Sequence, residues 1–183
     1  MAKPELTKQL MANTLKSLMQ AVPLDKINVQ DIVRACGLNR KTFYYHFRDK
    51  QELICWIFDK EFADLKDWNR NNTIIDELVD HLRSNKDFYS AALTSDAQNN
   101  LREHFFQVIY NGILSDIKRI LGIQRMKYED MKTTATYFTH AVIGSITQWA
   151  KEGMETSLME NSVNFHSLTR DCLQYIITEQ VGK

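Results

Sequence analysis

Arg40, Lys41, Thr42, Tyr44, Tyr45 and His46 form a run of donors, cations and amphipathic rings interrupted only by Phe43 and followed by Phe47. In a helix, residues four apart share a face, so Phe43 and Phe47 point one way and the polar set is left at the rim and on the outer face. Arginine and lysine pair with guanine acceptors and with phosphate oxygens, and a tyrosine ring can meet a thymine methyl. The chemistry on offer is therefore recognition of a polyanion with base edges, not bond making.

The flanking residues supply the elements that must position this helix. Asn28 is a candidate N-cap with Asp31 three residues on, and Ile32, Val33 and Cys36 recur at helical spacing, which predicts a short helix with one buried face. Gly37 falls where a left-handed residue stops a helix without a Cβ penalty, and Leu38 is placed to fill the space beneath the turn. Asn39 then caps the second helix. Asp49 and Glu52 resemble a capping box that opens a following helix, with Lys50 in its first turn beside backbone N–H groups that favour phosphate. The expected DNA contacts are Asn28, Val29, Asn39, Arg40, Lys41, Thr42, Tyr44, Tyr45, His46 and Lys50. Arg40, Lys41, Thr42 and Tyr44, with Asn39, face bases or groove walls, while Tyr45, His46 and Lys50 hold the backbone.

Charge agrees with that placement. The chain is neutral overall, yet residues 1–50 hold nine Lys or Arg against four Asp or Glu, and residues 51–183 hold fourteen against nineteen. A basic end is attracted to phosphates and an acidic remainder is kept off them.

The string TFYYHFRDKQEL preceded by DIVRACGLNRK resembles the signature of the TetR (tetracycline repressor) family of bacterial transcriptional regulators, over residues 6–65. Lys41 stands where many members have Gly. The segments KDFYSAALTSDAQNNLREHFF and TYFTHAVIGSITQWAKEGM are similar to a Firmicutes-type subgroup that includes activators of dihydroxyacetone-kinase operons. The resemblance implies an all-α fold with a three-helix head, a helical body that binds an effector and dimerises, and a homodimer on a palindromic operator. It also leaves activation through a coactivator protein open beside repression. A module that has kept the fold and lost DNA binding is the rival from another class.

Composition fits this organisation. Two prolines, both before residue 24, and six glycines among 183 residues leave long helices possible almost throughout. About nine helices and no strand are expected. Residues 1–50 form the head, 51–68 a linking helix, and 69–183 the regulatory and dimerisation body. A first helix is traced by Leu6, Leu10, Met11, Leu15, Leu18 and Val22, and later ones run over 73–83, 87–94, 98–121, 128–152 and 162–180. No apolar run of about 18 residues offers a membrane span and no secretory-type N-terminus is seen, so the expected location is the cytoplasm. Cys36, Cys55 and Cys172 are odd in number and sit in apolar helical contexts, as buried free thiols do.

Within the body, Ala141, Gly144 and Ser145 are small residues on an otherwise bulky helix, and Leu168, Cys172 and Tyr175 lie on the apolar stripe of the last one. They are the expected dimer interface, because small residues let a partner helix approach. Phe106, Tyr110, Tyr137, His140 and Trp149 are the expected pocket walls, bulky groups most of which carry a polar tip. The effector is an unidentified small molecule or a partner protein. No HExxH, CxxC, Gly-rich phosphate loop or GxSxG occurs, and the histidines are scattered, so neither catalysis, a metal nor a cofactor is expected.

Overall fold

The computed structural model describes residues 3–64, 74–95, 100–121, 126–155, 171–172 and 174–176, and among these it is helical with no strand. The order is α1 (Lys3–Leu18), a 3-10 turn (Leu24–Lys26), α2 (Val29–Ala35), α3 (Arg40–His46), α4 (Lys50–Asp64), α5 (Ile74–Ser84), α6 (Lys86–Thr94), α7 (Asn100–Leu121) and α8 (Tyr128–Lys151). Residues 171–172 and 174–176 are also helical, within the expected last helix. Residue 73, where the helix expected over 73–83 begins, lies outside the described residues.

Two compact units divide the chain: residues 1–67 with 85–101, and residues 68–84 with 102–183. In the first, α1 packs on α2 and α4, and α2 on α3. Met11 and Leu15 are fully buried, as are Ile32, Phe43, Leu53, Ile54 and Phe58. Leu6 and Leu10, expected on the same stripe, are instead 52% and 44% exposed. At 3.6 residues per turn they point about 100° or more away from Met11, so the face that meets the head is set by Met11, Ala12 and Leu15. Past Leu18 the chain tightens into turns, with the Val22 N–H donating to the Leu18 carbonyl at 3.0 Å, before Pro23 prevents any continuation.

The second unit takes its core from one stripe on each helix. Leu78, Val79 and Leu82 are buried on α5, Phe105, Ile109, Ile113 and Ile117 recur every four residues on α7, and Val142, Ile146 and Trp149 do the same work on α8. The last of these helices ends as the sequence predicts. Gly153 takes φ +79, and the Met154 and Gly153 N–H groups donate to the Trp149 and Ala150 carbonyls at 3.0 and 3.1 Å, which is a Schellman closure.

Candidate DNA-binding surface

The helix-turn-helix is finished by local hydrogen bonds. Asn28 and Asp31 cap α2 reciprocally: the Asp31 N–H donates to Asn28 Oδ1 at 3.1 Å and the Asn28 N–H to Asp31 Oδ2 at 2.9 Å. At its other end Gly37 adopts φ +68, with the Leu38 N–H on the Val33 carbonyl at 2.8 Å and the Gly37 N–H on the Arg34 carbonyl at 3.3 Å. This closure satisfies two orphan carbonyls and turns the chain into α3. Asn39 caps α3, its Oδ1 accepting from the Thr42 N–H at 2.8 Å and the Thr42 hydroxyl at 3.1 Å.

The two faces of α3 separate as the spacing predicts. Phe43 and Phe47 are 0% and 2% exposed, with ring centroids 5.7 Å apart. Arg40 and Lys41 lie out in solvent, Tyr44 is 48% exposed, Tyr45 is 79% exposed, and Thr42 is half-buried. Arg40 donates from Nη2 to the Tyr44 hydroxyl at 3.2 Å, and its guanidinium stands 5.7 Å from the Tyr44 ring centroid. That pair narrows the rotamers open to Arg40 before any partner arrives. His46 is half-buried with its ring 4.8 Å from that of Tyr45, edge to face. Burial, and then the charge of Lys8, lower the pKa of His46 below the usual histidine value.

Lys50 differs from the others in what its amine touches. Its Nζ donates to the carbonyls of Leu24 at 2.6 Å and Ile27 at 2.7 Å. Asn28 is exposed and Val29 half-buried at the opening of α2. Sequence reasoning missed the floor beneath α3, where Trp56 meets Phe47 edge to face at 6.0 Å and Lys8 stands 5.6 and 5.9 Å from the two ring centroids. No spacing within one helix signals that meeting of α1, α3 and α4.

It also missed where α6 belongs. Tyr89, which falls within the expected body of residues 69–183, sits in the first unit, fully buried, and donates to Glu61 Oε2 at 2.7 Å. Glu61 is also paired with Lys16, whose ammonium lies 4.9 Å from the Phe88 ring centroid. Burial and the adjoining Glu61 carboxylate push the Tyr89 phenol far above its usual range, so it stays a donor. One carboxylate thus joins α1, α4 and α6.

Of the five expected pocket residues, three come together in the second unit. The Phe106 ring stacks on Tyr110 at 5.9 Å and tilts against His140 at 5.1 Å, across α7 and α8. Tyr137 is 70% exposed and Trp149 is buried. Among the expected interface residues, Ala141 and Gly144 are exposed on α8, Ser145 is half-buried with its hydroxyl donating to the Ala141 carbonyl at 2.9 Å, Cys172 is half-buried and Tyr175 is 68% exposed. Among the described residues, a Cβ on Gly144 would meet nothing within 4 Å. Leu168 lies outside the described residues.

Comparison with known proteins agrees with the architecture at both ends of the chain. Residues 14–54 match the family described as bacterial regulatory proteins, tetR family, and residues 69–171, more than half of the chain, match a transcriptional regulator C-terminal region. The HTH-type dhaKLM operon transcriptional activator DhaS of Lactococcus lactis subsp. lactis (strain IL1403) is 31% identical over 123 residues. That alignment covers 64% of this chain and 63% of the relative, under two thirds of its length. A solved structure of a dihydroxyacetone kinase operon activator DhaS superposes with a TM-score of 0.64 over 95% of this chain and 97% of that one, at 23% identity, a likeness of fold. No helix among the described residues is long and apolar enough to cross a membrane.

Proposed function

The chain belongs to the TetR family of bacterial DNA-binding transcriptional regulators, and we propose that it acts in the cytoplasm as a homodimer on a palindromic operator, governed by an effector held in its C-terminal part. The observation that carries the DNA reading is the face of α3, where burial of Phe43 and Phe47 leaves Arg40, Lys41, Tyr44 and Tyr45 outward with Arg40 braced on Tyr44. Asn39, Arg40, Lys41, Thr42 and Tyr44 read bases or groove walls, and Tyr45 and His46 hold phosphates. Asn28 and Val29 stand at the opening of the first helix of the motif. Two such faces must reach successive major grooves about 34 Å apart, which asks for a twofold copy. The exposed small residues Ala141 and Gly144, with Ser145 and the segment carrying Leu168, Cys172 and Tyr175, are our choice for that interface.

The effector acts by binding one spacing of the two heads more tightly than the other. Phe106, Tyr110 and His140 are the best-supported contacts for a small molecule, because their rings already meet, with Tyr137 and Trp149 less well placed. A specific observation favours a second reading of the sign: the similar DhaS protein is an operon transcriptional activator, so activation, with a partner protein supplying the signal, stands beside repression.

An electrophoretic shift on the DNA upstream of its own gene and its neighbours tests the reading. A shift that weakens as salt rises is expected. Arg40→Ala should then relax preference at one base position for about 1–3 kcal/mol. No salt-sensitive shift on any palindromic duplex would favour a protein-interaction module, and loss of affinity without loss of base preference would remove Arg40 from the readout.

A further inference from the structure

A lysine that reached out for phosphate would carry its ammonium into solvent, yet the Lys50 amine lies at the foot of the 3-10 turn that leads into α2. Two of its three N–H donors are used on the Leu24 and Ile27 carbonyls, at 2.6 and 2.7 Å. These two residues bracket the turn and are themselves 3% and 2% exposed, so the carbonyls belong to a fixed part of the fold. Ile27 is followed directly by Asn28, the cap of α2, and α3 packs on α2. A second tie holds the same turn, because the Ser95 hydroxyl at the end of α6 donates to Asp25 Oδ1 at 2.5 Å. Burial lowers the pKa of Lys50 and the Asp25 carboxylate opposes that shift, which fits a cation kept inside the head.

We propose that Lys50 is a positioning residue for DNA binding: by holding the Leu24 and Ile27 carbonyls it fixes the start of α4 against the approach to α2, and so sets where α3 stands. A neutral side chain at this position leaves the Ile27 carbonyl without its ammonium partner and lets the turn relax. The recognition helix then meets base edges out of register, whereas loose contact with phosphates, which tolerates small displacements, survives. The inference rests on the DNA-binding reading, and the second measurement below needs no bound DNA to begin.

Full-length Lys50→Met is compared with the unsubstituted protein on the upstream duplex that shifts and on poly(dI-dC), over a range of salt, with thermal melts of each. Specific affinity should fall about tenfold or more while binding to poly(dI-dC) changes by less than about twofold, and the salt slope should hold. A structural defect alone would not change the ratio between the two duplexes. Parallel loss on both, with or without a slope flatter by about one unit, overturns the proposal. If Lys50→Met does not fold, reductive methylation of the unsubstituted protein decides. Lys50 should react more slowly than exposed Lys41 in the free protein, and added duplex should protect Lys41 without changing Lys50; fast modification of Lys50 that the duplex suppresses overturns the proposal.

Discussion

The outer faces of α3 and α8 are both left exposed, and they are made of opposite materials. On α3 the exposed groups are long or charged, Arg40, Lys41, Tyr44 and Tyr45, over two fully buried phenylalanines. On α8 the exposed line runs from Tyr137 and His140 to Ala141 and Gly144, so bulky rings give way to short side chains, and among the described residues nothing lies within 4 Å of a Cβ built on the glycine. A face of donors suits a partner whose acceptors are fixed in space, as base edges and phosphates are. A stretch of short side chains suits a partner that brings its own, and a second helix is such a partner. On the function proposed above, the difference separates a surface suited to recognise from one suited to pair.

Gly144→Glu would strike at the second face with the largest expected effect. Glutamate is the better helix former by several tenths of a kcal/mol, and a Cβ at this position meets nothing within 4 Å among the described residues. The melt of an isolated protomer should therefore hold or rise. If α8 pairs with its copy, two buried carboxylates oppose each other, sedimentation should report monomers, and operator affinity should drop by about 100-fold or more as the second head is lost. A variant that remains dimeric would move the interface off this face and remove the contrast drawn between the two helices.

Asn39→Ala tests how far α3 is made by its own sequence. The helix has only seven residues and its first turn leans on the Asn39 carboxamide, which takes both donors of Thr42. Loss of that cap should cost about 1 kcal/mol, read as a shift in the urea midpoint. An unchanged midpoint would mean that burial of Phe43 and Phe47 alone holds the helix, and that its outer face is a by-product of the core.

How much could be read in advance follows the range of the interactions. The stops at Gly37 and Gly153, the caps at Asn28 and Asn39, and the inward pair Phe43 and Phe47 each depend on residues within five positions of one another, so spacing and residue type were enough; at Asp49 only half of the expected box forms, its carboxylate accepting from the Glu52 N–H at 2.8 Å while the Glu52 carboxylate accepts from the Arg48 N–H instead. The TetR resemblance was legible for the same reason, because its signature is that local motif. Contacts between distant segments were not. Tyr89 and Glu61 are 28 positions apart, Lys16 and Glu61 are 45 apart, and the carbonyls that hold Lys50 lie 26 and 23 positions before it. Nothing in the period of α6 says that its buried face turns to the unit containing α1 and α4, and an ammonium that meets carbonyls has the same letter as one that meets phosphate. Leu6 and Leu10 show a smaller effect: both are apolar letters beside a stripe, yet the helical angle puts them off the buried face.

The smallest effect concerns His46, which lies where the proposed recognising face of α3 gives way to packing. In the free protein its pKa lies below 6.5, because burial first and Lys8 second disfavour the imidazolium. The unfolded chain takes up the proton more readily, so the stability this ring contributes is present above about pH 6.5 and declines as pH falls below it. A phosphate beside the ring would act in the opposite sense and raise the pKa in the complex, so that binding takes up a proton. Operator affinity should then tighten about two- to fivefold between pH 7.5 and 5.5, below the tenfold that one unit of pKa difference allows. In His46→Gln that dependence should vanish while affinity at pH 7.5 changes little. An equal slope in both proteins would assign the dependence to another histidine and leave His46 on the packing side of α3, which would shrink the recognising face to Arg40 through Tyr45.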